Sequence, residues 1–129
     1  MTGAAIESIS PFFIASALGP SLDFYCGQLG FEIVHKGAGE EPFFAIIARD
    51  RAMLFLKVGD VAPEPNPFRD PDIRWDAYLA VPDPDALAGE FAARGVAFSA
   101  PLADTRDGLR GFELTDPDGY VLFFGRPRQ

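Results

Sequence analysis

The chain has 129 residues, 48% of them hydrophobic and 13 of them Phe, enough to bury one sizeable core but too few for two separately folding domains of ordinary size. The net charge of −8, with 19 acids against 11 scattered bases, argues against a nucleic-acid partner. No run approaches the roughly 20 apolar residues of a membrane span, Met1 to Ser10 lacks the segments of a signal peptide, and the lone Cys26 allows neither an intrachain disulfide nor a cysteine-rich metal site; the expectation is one cytoplasmic domain with no membrane partner.

Taken in chain order, the run Ser10 to Ile14 reads as a strand. Leu22, Tyr25, Cys26 and Leu29 then fall on one face at helical spacing, with Pro20 suited to a first turn and Gly30 to a left-handed cap. Cys26 on that apolar face reads as a buried, inert thiol. Strands are predicted over 31–35, 43–48 and 52–58, the last two joined by a tight polar turn at Arg49, Asp50 and Arg51.

The second half repeats the order. A strand is predicted over 75–81, and a helix opens at Asp83 as N-cap and Pro84 as first residue. Leu87 and Phe91 give that helix its apolar face, and Gly95 stops it. Strands are predicted over 96–99, 111–115 and 120–125. Equivalent prolines and equivalent glycines in the two halves mark a duplicated βαβββ module. Module one spans about residues 8–58 and module two about 75–125 within a single α+β domain over 1–129. Between them, residues 59–74 carry Pro63, Pro65, Pro67 and Pro71 without apolar periodicity and read as an extended linker.

Asp116-Pro117-Asp118-Gly119 reads as a hairpin turn. If Thr115 pairs with Tyr120, antiparallel register places Phe112 opposite Phe123 on one face of the sheet. Trp75, next to Asp76, turns by alternation to the face opposite Asp76.

Ser21-Leu22-Asp23-Phe24-Tyr25, Leu29-Gly30-Phe31 and Asp116-Pro117-Asp118-Gly119-Tyr120, in this order on a duplicated frame, resemble the motifs of the vicinal-oxygen-chelate superfamily of glyoxalases, bleomycin-resistance proteins and extradiol dioxygenases. The resemblance implies two mostly antiparallel half-barrel sheets that enclose a ligand cavity. It also implies four metal-ligand positions in the metal-dependent members, which fall on Ser10, Phe55, Asp76 and Phe123 in this chain. Phe offers no lone pair, Ser is a poor ligand, and one carboxylate does not hold a transition ion against water. No metal and no cofactor are therefore expected. His35, the sole histidine, reads as an edge residue off all four positions; a shift of one residue in the alignment would bring Glu113 into play.

Strand alternation gives the cavity a lining of Ser10, Phe12, Phe55, Asp76, Tyr78, Phe112 and Phe123, an aromatic wall with one acid. Such a wall suits a planar, partly cationic organic molecule. Pro11, the acidity and the closing Phe124-Gly125 resemble the bleomycin-resistance branch, whose members sequester a drug without chemistry; metal-independent binding of a small molecule is the expected function. Two alternatives stand beside it. One is a lyase, isomerase or dioxygenase of the glyoxalase type; a metal-free enzyme would use Asp76 as general base and Tyr78 as donor. The other is a non-catalytic scaffold whose cavity the Phe side chains fill; an inward Asp76 then needs a partner, with Arg74, Arg110 and Tyr78 as candidates. The resemblance further implies a homodimer. The loops 36–42 and 101–110, expected to choose the ligand, carry no readable motif.

Overall fold

In the computed structural model, which describes residues 3–67 and 74–129, the order βαβββ appears twice. The first unit contains β1 (Phe12–Ile14), α1 (Leu18–Leu22, widening into a π-type turn over Asp23–Gln28), β2 (Glu32–Lys36), β3 (Phe44–Arg49) and β4 (Ala52–Lys57). The second contains β5 (Ala77–Ala80), α2 (Pro84–Ala93), β6 (Ala100–Asp104), β7 (Leu109–Thr115) and β8 (Val121–Pro127). The sheets have four strands each, in the orders β1-β4-β3-β2 and β5-β8-β7-β6. In each, the first strand runs parallel to the last and the other pairs are antiparallel. The fold is α+β as expected, and neither sheet closes on itself. Residues 68–73 of the expected linker lie outside the described residues.

Both helices end where the glycines predict, with Gly30 at φ +79° and Gly95 at φ +76°. Asp83 caps α2 by accepting the Ala86 N–H at 3.0 Å. One face of each sheet is buried: Ala45, Ile47, Leu54 and Leu56 in the first, Phe112, Leu114, Leu122 and Phe124 in the second. With Tyr25, Leu29 and Phe91 they form one contiguous core. Each Leu, Ile or Phe among them, fully buried, contributes about 1.5–3 kcal/mol relative to exposure.

The recurring motifs meet across the two units. The Tyr25 hydroxyl donates to Asp116 Oδ2 at 2.7 Å, and Asp116 Oδ1 accepts the N–H groups of Asp118 and Tyr120 at 2.8 and 3.0 Å. The Tyr120 ring stacks on Phe13 at 4.1 Å. Its hydroxyl serves the edge of β1 as a neighbouring strand would, accepting Ile14 N–H at 3.1 Å and donating to Ile14 C=O at 2.8 Å. On the helix side, Arg49 bonds Leu29 O at 2.8 Å and both carboxylate oxygens of Glu90 at 2.8 and 3.0 Å, tying α2 to the first unit.

Three expectations are corrected. The β7–β8 ladder pairs Thr115 with Val121 and Phe112 with Phe124, not with Phe123. The reason lies in the turn: Asp116 holds Tyr120 by its own carboxylate and by the Asp116 N–H to Tyr120 O bond of 2.9 Å, so the ladder starts one residue later. The second strand of the second unit is Ala100–Asp104, not 96–99, because β7 dictates where an edge strand pairs. Val96 is instead a buried anchor after α2, its N–H on Phe91 O at 3.0 Å. Pro101 is tolerated at this edge, where the register slips between Ala100 and Ala103. Finally, Trp75 lies before the first rung of β5, so alternation does not govern it, and it swings onto the face that carries Phe123.

Candidate functional site

The face of the second sheet turned away from the core carries a layered aromatic platform. Gly111 and Gly125 are partners in the β7–β8 ladder. A Cβ at Gly111 would come within 2.6 Å of Phe123 Cζ, and one at Gly125 within 2.5 Å of Phe123 Cε2. The two glycines are the floor that lets the Phe123 ring lie flat against the backbone. Trp75 stacks on Phe123 with centroids 4.1 Å apart and planes 19° from parallel. Tyr78, paired with Phe123 in register, stacks beside it at 5.7 Å and 22°.

Glu113 stands next to this stack, opposite Phe123 in the ladder, with its side chain 8% exposed. Its carboxylate accepts three hydrogen bonds: Arg74 Nε at 2.8 Å, Arg74 Nη2 at 2.5 Å and the Trp75 indole N–H at 3.0 Å. The Glu113 carboxylate holds the Arg74 guanidinium above its ordinary, already high pKa. A cleft of about 420 Å³ opens here, walled by Trp75, Phe123, Glu113 and Arg74 on one side and by Pro101 and Arg106 on the other. A smaller cavity of about 260 Å³ follows the seam between the two sheets, with Pro11, Met53 and Tyr78 among its walls. The open face of the first sheet is also aromatic: Phe12 pairs with Phe55 in register, their rings stack at 6.4 Å, and Phe12 is 57% exposed.

Of the expected lining residues, Tyr78 and Phe123 share one platform and Phe12 and Phe55 share another, while Ser10 sits half-buried just ahead of β1. Phe112 borders the cleft of about 420 Å³, but its ring turns the other way. Its ring is fully buried in the core, stacked on Phe124 at 5.1 Å and edge-on to Phe91 at 5.9 Å. Asp76 is not an open acid either: Oδ1 accepts Asn66 N–H at 2.6 Å and Oδ2 accepts Val121 N–H at 2.7 Å. Its partners are backbone amides, one from the linker and one from β8, rather than the side chains expected. Arg74 serves Glu113, Arg110 serves Asp85 and Asp104, and the Tyr78 hydroxyl donates to Gly125 O at 3.3 Å.

From the sequence, Glu113 enters the site only through a one-residue shift of the alignment, Arg74 only as a candidate partner of Asp76, and Trp75 not at all. The signal for Glu113 was present in strand alternation, since Phe112 and Leu114 face the core and the residue between them must face away. The four positions that the resemblance implies for a metal, Ser10, Phe55, Asp76 and Phe123, do not fit an ion: two are phenyl rings and the one carboxylate is engaged by two amides. Among the described residues, no group of three His, Cys, Asp or Glu side chains is placed to hold one. No helix among them is long and apolar enough to cross a membrane.

No curated protein matches the chain significantly. Among solved structures, a glyoxalase/bleomycin resistance protein/dioxygenase from Alicyclobacillus acidocaldarius is similar with a TM-score of 0.74 at 21% identity, over 95% of this chain and 92% of that one. The bleomycin-binding protein from bleomycin-producing Streptomyces verticillus, solved with copper(II)-bleomycin, has a TM-score of 0.70 at 23% identity, over 98% and 100%. TnmS3, an antibiotic binding protein from Streptomyces sp. CB03234, has a TM-score of 0.63 at 22% identity, over 98% of each. At these identities the likeness shows the fold. The model of one family matches residues 11–124, nearly the whole chain, and the chain belongs to that family, the glyoxalase/bleomycin resistance protein/dioxygenase superfamily.

Proposed function

We propose that the protein binds a small aromatic, partly cationic organic molecule and holds it without a metal and without chemical change. The observation that carries this reading is the Trp75–Phe123 stack on its glycine floor, beside an open cleft of about 420 Å³ with a carboxylate in its wall. An open cleft favours binding over a scaffold whose core is filled by Phe. The superfamily holds enzymes as well as binding proteins. A metal-dependent lyase, isomerase or dioxygenase lacks a fitting ligand set here, and a metal-free acid–base enzyme would need Asp76, whose oxygens both hold the backbone. The fold shared with bleomycin-binding and antibiotic-binding proteins is consistent with drug sequestration.

Trp75 is the only tryptophan, so its fluorescence reports on the platform directly. Titration with metal-free bleomycin should change that fluorescence to stoichiometric saturation, and the drug should be recovered chemically unaltered. A flat titration with bleomycin and with a panel of planar cationic drugs would end the binding reading; a recovered product would move the protein to the enzymes. In calorimetric titration of chelator-treated protein with zinc, nickel, manganese and ferrous iron, no binding tighter than about millimolar is expected from a single engaged carboxylate. Micromolar binding would reopen the glyoxalase and dioxygenase alternatives.

A homodimer accompanies this reading. The face of the first sheet turned away from the core leaves Phe12 57% and Met53 36% exposed, an apolar face that a second copy would cover. Light scattering should give a mass near twice that of the 14.0 kDa chain; a monomer at all concentrations would contradict it.

A further inference from the structure

Arg74 occupies Glu113 in the way a ligand cation would. Its Nε and Nη2 form a two-pronged contact with both carboxylate oxygens, the planar fork that an amidinium or guanidinium group also presents. The residue that supplies this fork belongs to no strand. The β5 ladder begins at Ala77, three positions later, so the Arg74 side chain can leave without breaking a rung. Glu113, by contrast, is fixed in the middle of β7 between the core residues Phe112 and Leu114. Leaving a carboxylate so little exposed without a cationic partner is costly, so a ligand cation that replaces Arg74 is favoured over an empty site. The Trp75 ring lies directly beside it, sharing the same carboxylate through its indole N–H and kept in place by its own stack on Phe123.

We propose that Glu113 is the charge that sets specificity in this cleft and that Arg74 is its displaceable internal counterion: a ligand carrying an amidinium or guanidinium group next to an aromatic ring takes over the two hydrogen bonds of Arg74 while its ring lies against Trp75. The inference rests on the reading of the cleft as a ligand site and adds the ligand class and a self-inhibiting contact. Because Arg74 and the ligand compete for one carboxylate, the measured affinity is the intrinsic one reduced by the fraction of molecules in which Arg74 has moved away.

Benzamidine, benzamide and benzoate share one ring and carry positive, zero and negative charge, and Trp75 fluorescence reads all three. The wild-type protein should prefer benzamidine to benzamide and reject benzoate. Arg74→Gln should tighten benzamidine by about tenfold, the factor expected if Arg74 sits on Glu113 about nine-tenths of the time, and should leave benzamide unchanged. Glu113→Gln should erase the preference for the cation while benzamide still binds. The double variant Arg74→Gln/Glu113→Gln leaves neither charge unpaired and should behave as Glu113→Gln does, which separates lost recognition from lost folding. If benzamide and benzamidine bind equally in every variant, the cleft remains a ligand site and the role of Glu113 falls. If benzoate binds best, Arg74 is the recognition group and the assignment is reversed. If none of the three perturbs Trp75 in any variant, the cleft reading falls with it.

Discussion

Gly125→Ala should destabilise the protein by about 3 kcal/mol, the upper part of the range for overpacking a dense interior, and lower Tm by about 10 °C for a chain of this size. The added Cβ would stand 2.5 Å from Phe123 Cε2 and 2.6 Å from Arg110 O, and only the first of these can move. Arg110 O belongs to the β7 ladder, where Arg110 pairs with Arg126. The ring must therefore rise off the sheet, taking Trp75 with it, and the indole loses its alignment to Glu113. Chemical denaturation gives the stability, and the emission of Trp75 in the folded variant gives the second half of the expectation. Gly89→Ala is the matched control. It sits inside α2 with nothing within 4 Å of its would-be Cβ, so the same added methyl should stabilise by about 0.5–1 kcal/mol. If both substitutions behave alike, the glycine floor is not what holds Phe123.

The element order was legible in the sequence because its markers are local. Gly30 and Gly95 take the left-handed backbone they were expected to take, and Asp83 caps α2 through its neighbour Ala86. What escaped was set by distant partners. Residues 96–99 are as apolar as many strands, but the strand forms where β7 offers a ladder, and that begins at Ala100. The face of Trp75 was misjudged because alternation holds only inside a paired strand, and Trp75 precedes its first rung. The partners expected for Asp76 were side chains because no local feature shows that two backbone amides, one 10 residues before it and one 45 after, converge on its carboxylate. The site was half legible for the same reason: Tyr78 and Phe123 follow from alternation, whereas the Arg74 contact with Glu113 spans 39 residues.

The contact between Tyr25 and Asp116, 91 residues apart, has a consequence for pH. Asp116→Ala should cost about 3 kcal/mol or more, since it strands the Tyr25 hydroxyl and the amides of Asp118 and Tyr120, all donors to one carboxylate. Asp116→Asn should cost much less at neutral pH, because its amide oxygen can accept both backbone N–H groups while its NH₂ donates to Tyr25. The two substitutions differ again in acid. Burial pushes the Asp116 carboxyl above the usual carboxylate range, against the pull of the hydrogen bonds from Tyr25 and the two amides. A carboxyl whose folded pKa is raised binds its proton more tightly in the native state. Its stabilising contribution is therefore fully present below the unfolded value of about 3.9 and is lost as pH rises through the folded value. Relative to Asp116→Asn, the wild-type protein should accordingly gain stability on acidification across that window, against the general acid destabilisation that lost pairs such as Arg49–Glu90 and Arg110–Asp85 impose on both. Denaturant midpoints for the two proteins at stepped pH measure the difference. A wild type that instead loses ground to Asp116→Asn in acid would mean that the hydrogen bonds from Tyr25 and the two amides outweigh the cost of burying the carboxylate.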